Sequence, residues 1–153
     1  MNILLITLGR RVARKHASVD ELFASYVERI GHHAPCQAEN YPSEEKFLAA
    51  LDRASRRTPP MLVLLDRRGK SWPTEIFAEW LGRQRDQGTQ QLTFAVGPAD
   101  GWSKTALGRA GLVLSLGPMT LPHELAAVVM AEQVYRAFTI IEGHPYHLGH
   151  KSE

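Results

Sequence analysis

Met61-Leu62-Val63-Leu64-Leu65 decides how this chain is read. Five apolar residues in a row, with no polar alternation, suit a strand buried on both faces, as in a parallel sheet. Thr58-Pro59-Pro60 stops the helical pattern before it, and Asp66–Lys70 reads as a polar loop after it. Ser71-Trp72-Pro73 then opens a helix that carries Ile76, Phe77, Trp80 and Leu81 inward and ends at Gly88. A buried strand followed by an amphipathic helix is half of a βαβ unit, and the pair recurs along the chain.

Upstream, Asn2–Leu8 is another continuous apolar run, ended by Gly9 and a basic loop. Ser18-Val-Asp-Glu21 reads as a capping box before Leu22, Phe23, Tyr26, Val27 and Ile30, with Gly31 at the C-cap position. Gln37–Tyr41 is a weak strand. Ser43, followed by Glu44 and Glu45, opens a helix with Phe47, Leu48, Leu51 and Ala54 inward. Downstream come a strand at Leu92–Val96, a turn at Gly97–Gly101, a short helix at Ser103–Arg109 and a strand at Leu112–Leu116. A loop at Gly117–Leu121 leads to the longest helix, Pro122–Ile141, and the tail Glu142–Glu153 has no regular pattern. Five strands alternating with five helices predict an α/β fold with a mostly parallel sheet. No linker divides the chain, so residues 1–153 form a single domain with a short irregular tail at 142–153.

Composition agrees. With 153 residues, 44% hydrophobic and 22% charged, the chain has ordinary globular make-up. The longest apolar runs, Ile3–Leu8 and Met61–Leu65, are too short to span a membrane. Met1–Leu8 enters a strand with no basic n-region, and the one cysteine, Cys36, has no internal partner; both point to the cytoplasm. Thirteen of the 18 basic residues are Arg. They gather at Arg10, Arg11, Arg14 and Lys15, at Arg53, Arg56 and Arg57, and at Arg67, Arg68 and Lys70, which suits a phosphate-rich partner as well as a solvated surface.

Ligands of open α/β sheets bind at the carboxyl ends of the strands. That rule selects Gly9–Lys15, Asp66–Lys70, Gly97–Gly101 and Gly117–Leu121. Neither a dinucleotide nor a P-loop glycine motif is present. His144, His147 and His150 are regularly spaced but lack matching carboxylates or a Cys pair, and no metal is expected. On the long helix, Leu125, Val128, Ala131, Tyr135 and Phe138 form one apolar stripe, and Met130, Val134, Ala137 and Ile141 a second. Cover on two sides is implied, by the sheet and by a second subunit. Glu132 and Arg136 are spaced to pair.

Three segments together are specific: Leu114-Ser-Leu-Gly-Pro-Met-Thr-Leu-Pro-His123, Ala131-Glu-Gln-Val-Tyr-Arg-Ala137 and His144-Pro-Tyr-His147. With Leu65-Asp66, Gly69-Lys70 and the Gly97–Gly101 turn, they resemble the RlmH family of 23S ribosomal RNA pseudouridine N3-methyltransferases, in the SPOUT superfamily. The resemblance implies a SPOUT-type parallel-sheet domain with a C-terminal trefoil knot. It implies S-adenosylmethionine as cofactor, held by Leu65, Gly97, Leu116, Gly117, Pro118, Met119, Thr120 and Leu121. It places Arg136, Tyr146 and His147 at the substrate side, with His147 as a proton acceptor and His123 in a structural or positioning role. It implies a homodimer whose site the partner completes, acting on 23S ribosomal RNA within the ribosome, with neither DNA nor membrane as partner. The chain departs from the family at Pro98, usually a second glycine, at Ala127, usually an Arg, and in its extension Leu148–Glu153. The first two departures favour the alternative, a non-catalytic RNA- or ribosome-binding relative of the same fold.

Overall fold

A computed structural model describes residues 1–9, 17–54 and 58–148. Its strands are β1 (Asn2–Leu8), β2 (Cys36–Tyr41), β3 (Met61–Lys70), β4 (Gln91–Val96) and β5 (Leu112–Leu114). Its helices are α1 (Ala17–Gly31), α2 (Glu44–Arg53), α3 (Thr74–Asp86), α4 (Lys104–Arg109) and α5 (His123–Ile141). The strands form one sheet in the order β2-β1-β4-β3-β5, and every neighbouring pair is parallel. Among the described residues no helix is long and apolar enough to cross a membrane.

Each central strand feeds two cores, because successive side chains point to opposite faces. Ile3, Leu5, Val63, Leu65, Leu92, Phe94 and Val96 pack under α1, α3 and α5. Ile6, Leu8, Leu62, Leu64 and Ala95 pack on the other face with Phe47 of α2, Trp102 and Ala106 of α4. That two-sided burial is why these strands read as unbroken apolar runs. Ser43 caps α2, accepting a hydrogen bond from the Lys46 backbone at 3.2 Å, and Ser103 caps α4 in the same way through Ala106.

The structure corrects several expectations. α1 begins at Ala17, so Ser18 and Glu21 lie inside its first turn and form no capping box. Gly31 is its last helical residue and has no positive φ. Leu22, Ile76 and Leu125 face outward, 47%, 39% and 43% exposed, so each helix buries a narrower stripe than its pattern suggests. β5 stops at Leu114; the Ser115 hydroxyl turns the chain by bonding Gly117, and Leu116 leaves the sheet.

The largest difference is β3. It continues through Asp66–Lys70 as an irregular extension in which Lys70 comes back into register with Leu114. The Lys70 carbonyl accepts from the Ser115 backbone at 2.9 Å. Gly69 permits this, since a Cβ there would fall 2.6 Å from the Val113 carbonyl.

The two-sided apolar face of α5 also has an explanation within one protomer. α5 lies on the sheet between α1 and α3, and its buried residues run from Ala126 to Thr139. These neighbours bury most of both stripes, Leu125 excepted, so two-sided cover does not by itself require a second subunit.

Candidate active site

The carboxyl ends of β3, β4 and β5, with the start of α5, enclose a cavity of about 830 Å³. Leu65, Gly97, Leu116, Gly117, Met119, Thr120 and Leu121 line it. Pro118, expected with them, does not. Asp66–Arg68, Val96, Pro98–Gly101, Pro122, His123 and Ala126 complete the lining. The volume is that of a small-molecule site, with aliphatic walls and backbone-rich loops. Arg67 crosses from the β3 extension to the Thr120 hydroxyl at 3.2 Å, tying two lips of the opening.

Asp66 organises this end of the sheet. Its side chain is 3% exposed and accepts from the Arg68 guanidinium at two positions, both 2.8 Å. It also accepts from the Arg68 backbone at 2.9 Å and from the Trp102 backbone at 3.0 Å. Arg68 donates onward to the Trp102 carbonyl at 2.6 Å, and the Trp102 indole N–H reaches the Leu65 carbonyl at 3.0 Å. The β3 extension and the loop after β4 are therefore locked as one unit. The Arg68 hydrogen bonds hold the Asp66 carboxyl well below the usual carboxylate range, so Asp66 is ionised at neutral pH.

Two glycines fit the lock. At Gly97 a Cβ would sit 2.6 Å from the Trp102 indole nitrogen. At Gly101, where φ is +89°, it would sit 3.1 Å from Arg68 and 3.2 Å from Asp66. Gly97 therefore makes room for Trp102 as well as lining the cavity. Arg68 is engaged in this clamp, and Arg10–Lys15 and Arg56–Arg57 lie outside the described residues. Pro98 closes a turn by accepting from the Gly101 backbone at 2.9 Å, and Ala127 is 4% exposed in the core. Pro98 lines the cavity, and Ala127 does not.

Arg136, Tyr146 and His147 do meet, but elsewhere. Glu132 binds Arg136 through Nη2 at 2.6 Å and Nε at 2.8 Å, and accepts from the Tyr146 hydroxyl at 3.2 Å. Arg136 lies over the Tyr146 ring at 4.8 Å and contacts His147 Nδ1 at 3.1 Å. A guanidinium only donates, so Nδ1 must accept. The proton then sits on Nε2 and points to Glu75 Oε1, 3.2 Å away. In that tautomer the acceptor nitrogen of His147 faces Arg136. Burial, a hydrogen bond to Tyr26 and the Glu132 charge push the Tyr146 phenol up, so it stays a donor at neutral pH.

Because Glu132 holds both Arg136 and Tyr146, Glu132→Gln is expected to release both side chains and bring the Tyr146 phenol back toward its ordinary range; ultraviolet titration of the tyrosines, with Tyr146→Phe as reference, tests this.

The two halves of the expected site stand apart. Arg136 is ten positions beyond Ala126 on α5, roughly 15 Å along the helix axis. α5 starts beside the cavity and runs back along the sheet, so the cluster lies near its opposite end, where Glu142 bonds His33 ahead of β2. Cys36 opens β2, and burial pushes its thiol up to about 12, so no thiolate nucleophile forms there.

A family model described as Predicted SPOUT methyltransferase matches residues 1–147. The chain belongs to the SPOUT methyltransferases. Within them it is 46% identical over 150 residues to the ribosomal RNA large subunit methyltransferase H of Koribacter versatilis, covering 98% of this chain and 100% of that one. It is 44% identical over 140 residues to the protein of the same name from Rhizobium leguminosarum bv. trifolii, covering 92% and 88%. It is a member of that methyltransferase H group. The same fold is met in a probable methylase family protein from Haemophilus influenzae, with TM-score 0.60, 12% identity and coverage of 96% and 69%. A probable methyltransferase from Bordetella pertussis shares it too, with TM-score 0.56, 12% identity and coverage of 89% and 95%.

Sequence reading missed Asp66, Trp102, Glu132 and Glu75 as organisers of this SPOUT site. Glu132 had a signal in its spacing from Arg136. The others bond across 36 or more positions, which no local pattern reports.

Proposed function

We propose that the chain is an S-adenosylmethionine-dependent methyltransferase acting on N3 of a pseudouridine in 23S ribosomal RNA, as a cytoplasmic homodimer built from one knotted SPOUT domain. The observation that carries this is the 46% identity, over the whole length, to a ribosomal RNA large subunit methyltransferase. The cavity fits the cofactor in size and chemistry: a purine and a sulfonium need backbone hydrogen bonds and apolar walls, and Leu65, Leu116 and Leu121 supply the walls. Gly97, Gly117, Met119 and Thr120 would hold the remainder, with Pro118 shaping the loop between them.

When bound, the cofactor supplies an activated methyl group on a good leaving group. The residues of the chain then have mainly to align the base. Arg136 would hold a phosphate or a base carbonyl, and Tyr146 and His147 would orient the ring. The separation of this cluster from the cavity supports a partner subunit: each cluster would serve the cavity of the other protomer. An assembled ribosome would offer the selectivity that the small surface of one such domain lacks.

The test is methyl transfer from labelled S-adenosylmethionine to ribosomes lacking the modification, with the product located by digestion and mass spectrometry. The expected result is one methyl on N3 of one pseudouridine. No transfer by folded protein to an unmodified target would favour the binding-only reading instead.

A further inference from the structure

Three of the four tyrosines of the chain meet at one place on the surface. Tyr26 of α1 and Tyr135 of α5 have ring centroids 6.1 Å apart. Tyr146, beyond the end of α5, stands edge-on to Tyr135 at 4.8 Å. Two guanidinium groups interleave with these rings. Arg29 lies over Tyr26 at 5.3 Å and over Tyr135 at 5.8 Å, and Arg136 lies over Tyr146 at 4.8 Å. The three tyrosines are half-buried and Arg29 is exposed.

This arrangement exceeds what packing requires. Tyr26 and Tyr135 rest against the core on one side, which fixes their rings. Arg29 caps them from outside, and among the described residues no carboxylate pairs with it. A cation held over a ring keeps a second, solvent-side face. Guanidinium planes and tyrosine rings are the surfaces on which unpaired bases stack, and the arginine charge attracts the phosphates beside them. The array is also continuous with Arg136, Tyr146 and His147, through the contact between Tyr135 and Tyr146.

We infer that Arg29, with Tyr26 and Tyr135, forms a stacking surface for single-stranded ribosomal RNA, taking bases that flank the one held at Arg136, Tyr146 and His147. The inference rests on the reading of the chain as a ribosomal RNA enzyme, and it adds an RNA contact on α1 that the cavity and the tail do not provide.

The test uses the full chain and purified large ribosomal subunits. Binding is measured by co-sedimentation for the unaltered protein, Arg29→Ala and Arg29→Lys. Arg29→Ala is expected to weaken binding about ten-fold, the scale of one lost base stack. Its melting temperature, oligomeric mass and affinity for S-adenosylhomocysteine should not change. Arg29→Lys keeps the charge but loses the planar face, so it should recover less than half of the loss. Photo-crosslinking of the unaltered protein should map RNA to the Tyr26–Arg29 segment.

Unchanged binding by Arg29→Ala, or no crosslink on α1, overturns the inference. Full rescue by Arg29→Lys overturns stacking in favour of charge alone. A drop in oligomeric mass that accompanies the lost binding assigns the surface to the partner subunit instead. A protein that binds through Arg29 yet transfers no methyl overturns the proposed reaction and leaves this surface standing.

Discussion

Asp66→Asn is expected to lower the melting temperature by about 5–10 °C and to weaken S-adenosylhomocysteine binding at least ten-fold. The carboxylate is nearly inaccessible and accepts from Arg68 and from the Trp102 backbone. An amide presents a donor to one of those donors and removes the charge that holds the exposed Arg68 side chain in place. Hydrogen bonds to a charged group contribute about 1.5–3 kcal/mol, and about 2–3 kcal/mol lost from a domain of this size gives the stated shift. Asp86→Asn, at a side chain 73% exposed, is the control and should change stability by no more than about 0.5 kcal/mol. The effect has a pH signature. Asp66 titrates below its unfolded value of about 3.9, so its stabilisation is complete above that pH and fades as pH falls further. The gap in melting temperature between the native and Asn proteins should be constant near neutrality and narrow below about pH 4. A gap that persists unchanged in acid would show that shape, and not charge, holds the clamp.

The fold was legible because parallel strands buried on both faces leave uninterrupted apolar runs. Met61–Leu65 and Asn2–Leu8 could hardly be anything else. β2 was faint for the converse reason: it is a sheet edge, its middle residues are exposed, and no apolar pattern was needed to build it. The extension of β3 was misread as loop because its polar residues look solvated. In the structure a side-chain carboxylate satisfies the backbone there, and Gly69 lets it return to β5. The cavity was legible from motifs because its walls are short contiguous loops. The Asp66–Trp102 and Glu75–His147 contacts were not, since each joins elements that only the folded topology brings together.

Mixing two inactive variants is expected to restore activity to about a quarter of the native level. Arg136→Ala removes the substrate-side cluster from one protomer. Leu116→Trp fills the cavity of the other from a position 38% exposed, where a larger side chain leaves the core undisturbed. In the proposed homodimer, each variant alone would leave both sites defective. In a mixed dimer the cavity of the Arg136→Ala chain faces the intact cluster of the Leu116→Trp chain, so one site is whole, and the other carries both defects. Random exchange makes about half of the dimers mixed, each with one of two sites working. Methyl transfer after co-refolding, set against the sum of the separate variants, measures this. If one protomer brought its own Arg136 to its own cavity, α5 would have to break across the roughly 15 Å of helix between Ala126 and Arg136, and mixing would restore nothing. Restoration therefore assigns Arg136 to the partner's reaction, while its absence from a properly mixed dimer would remove the cluster from the active site.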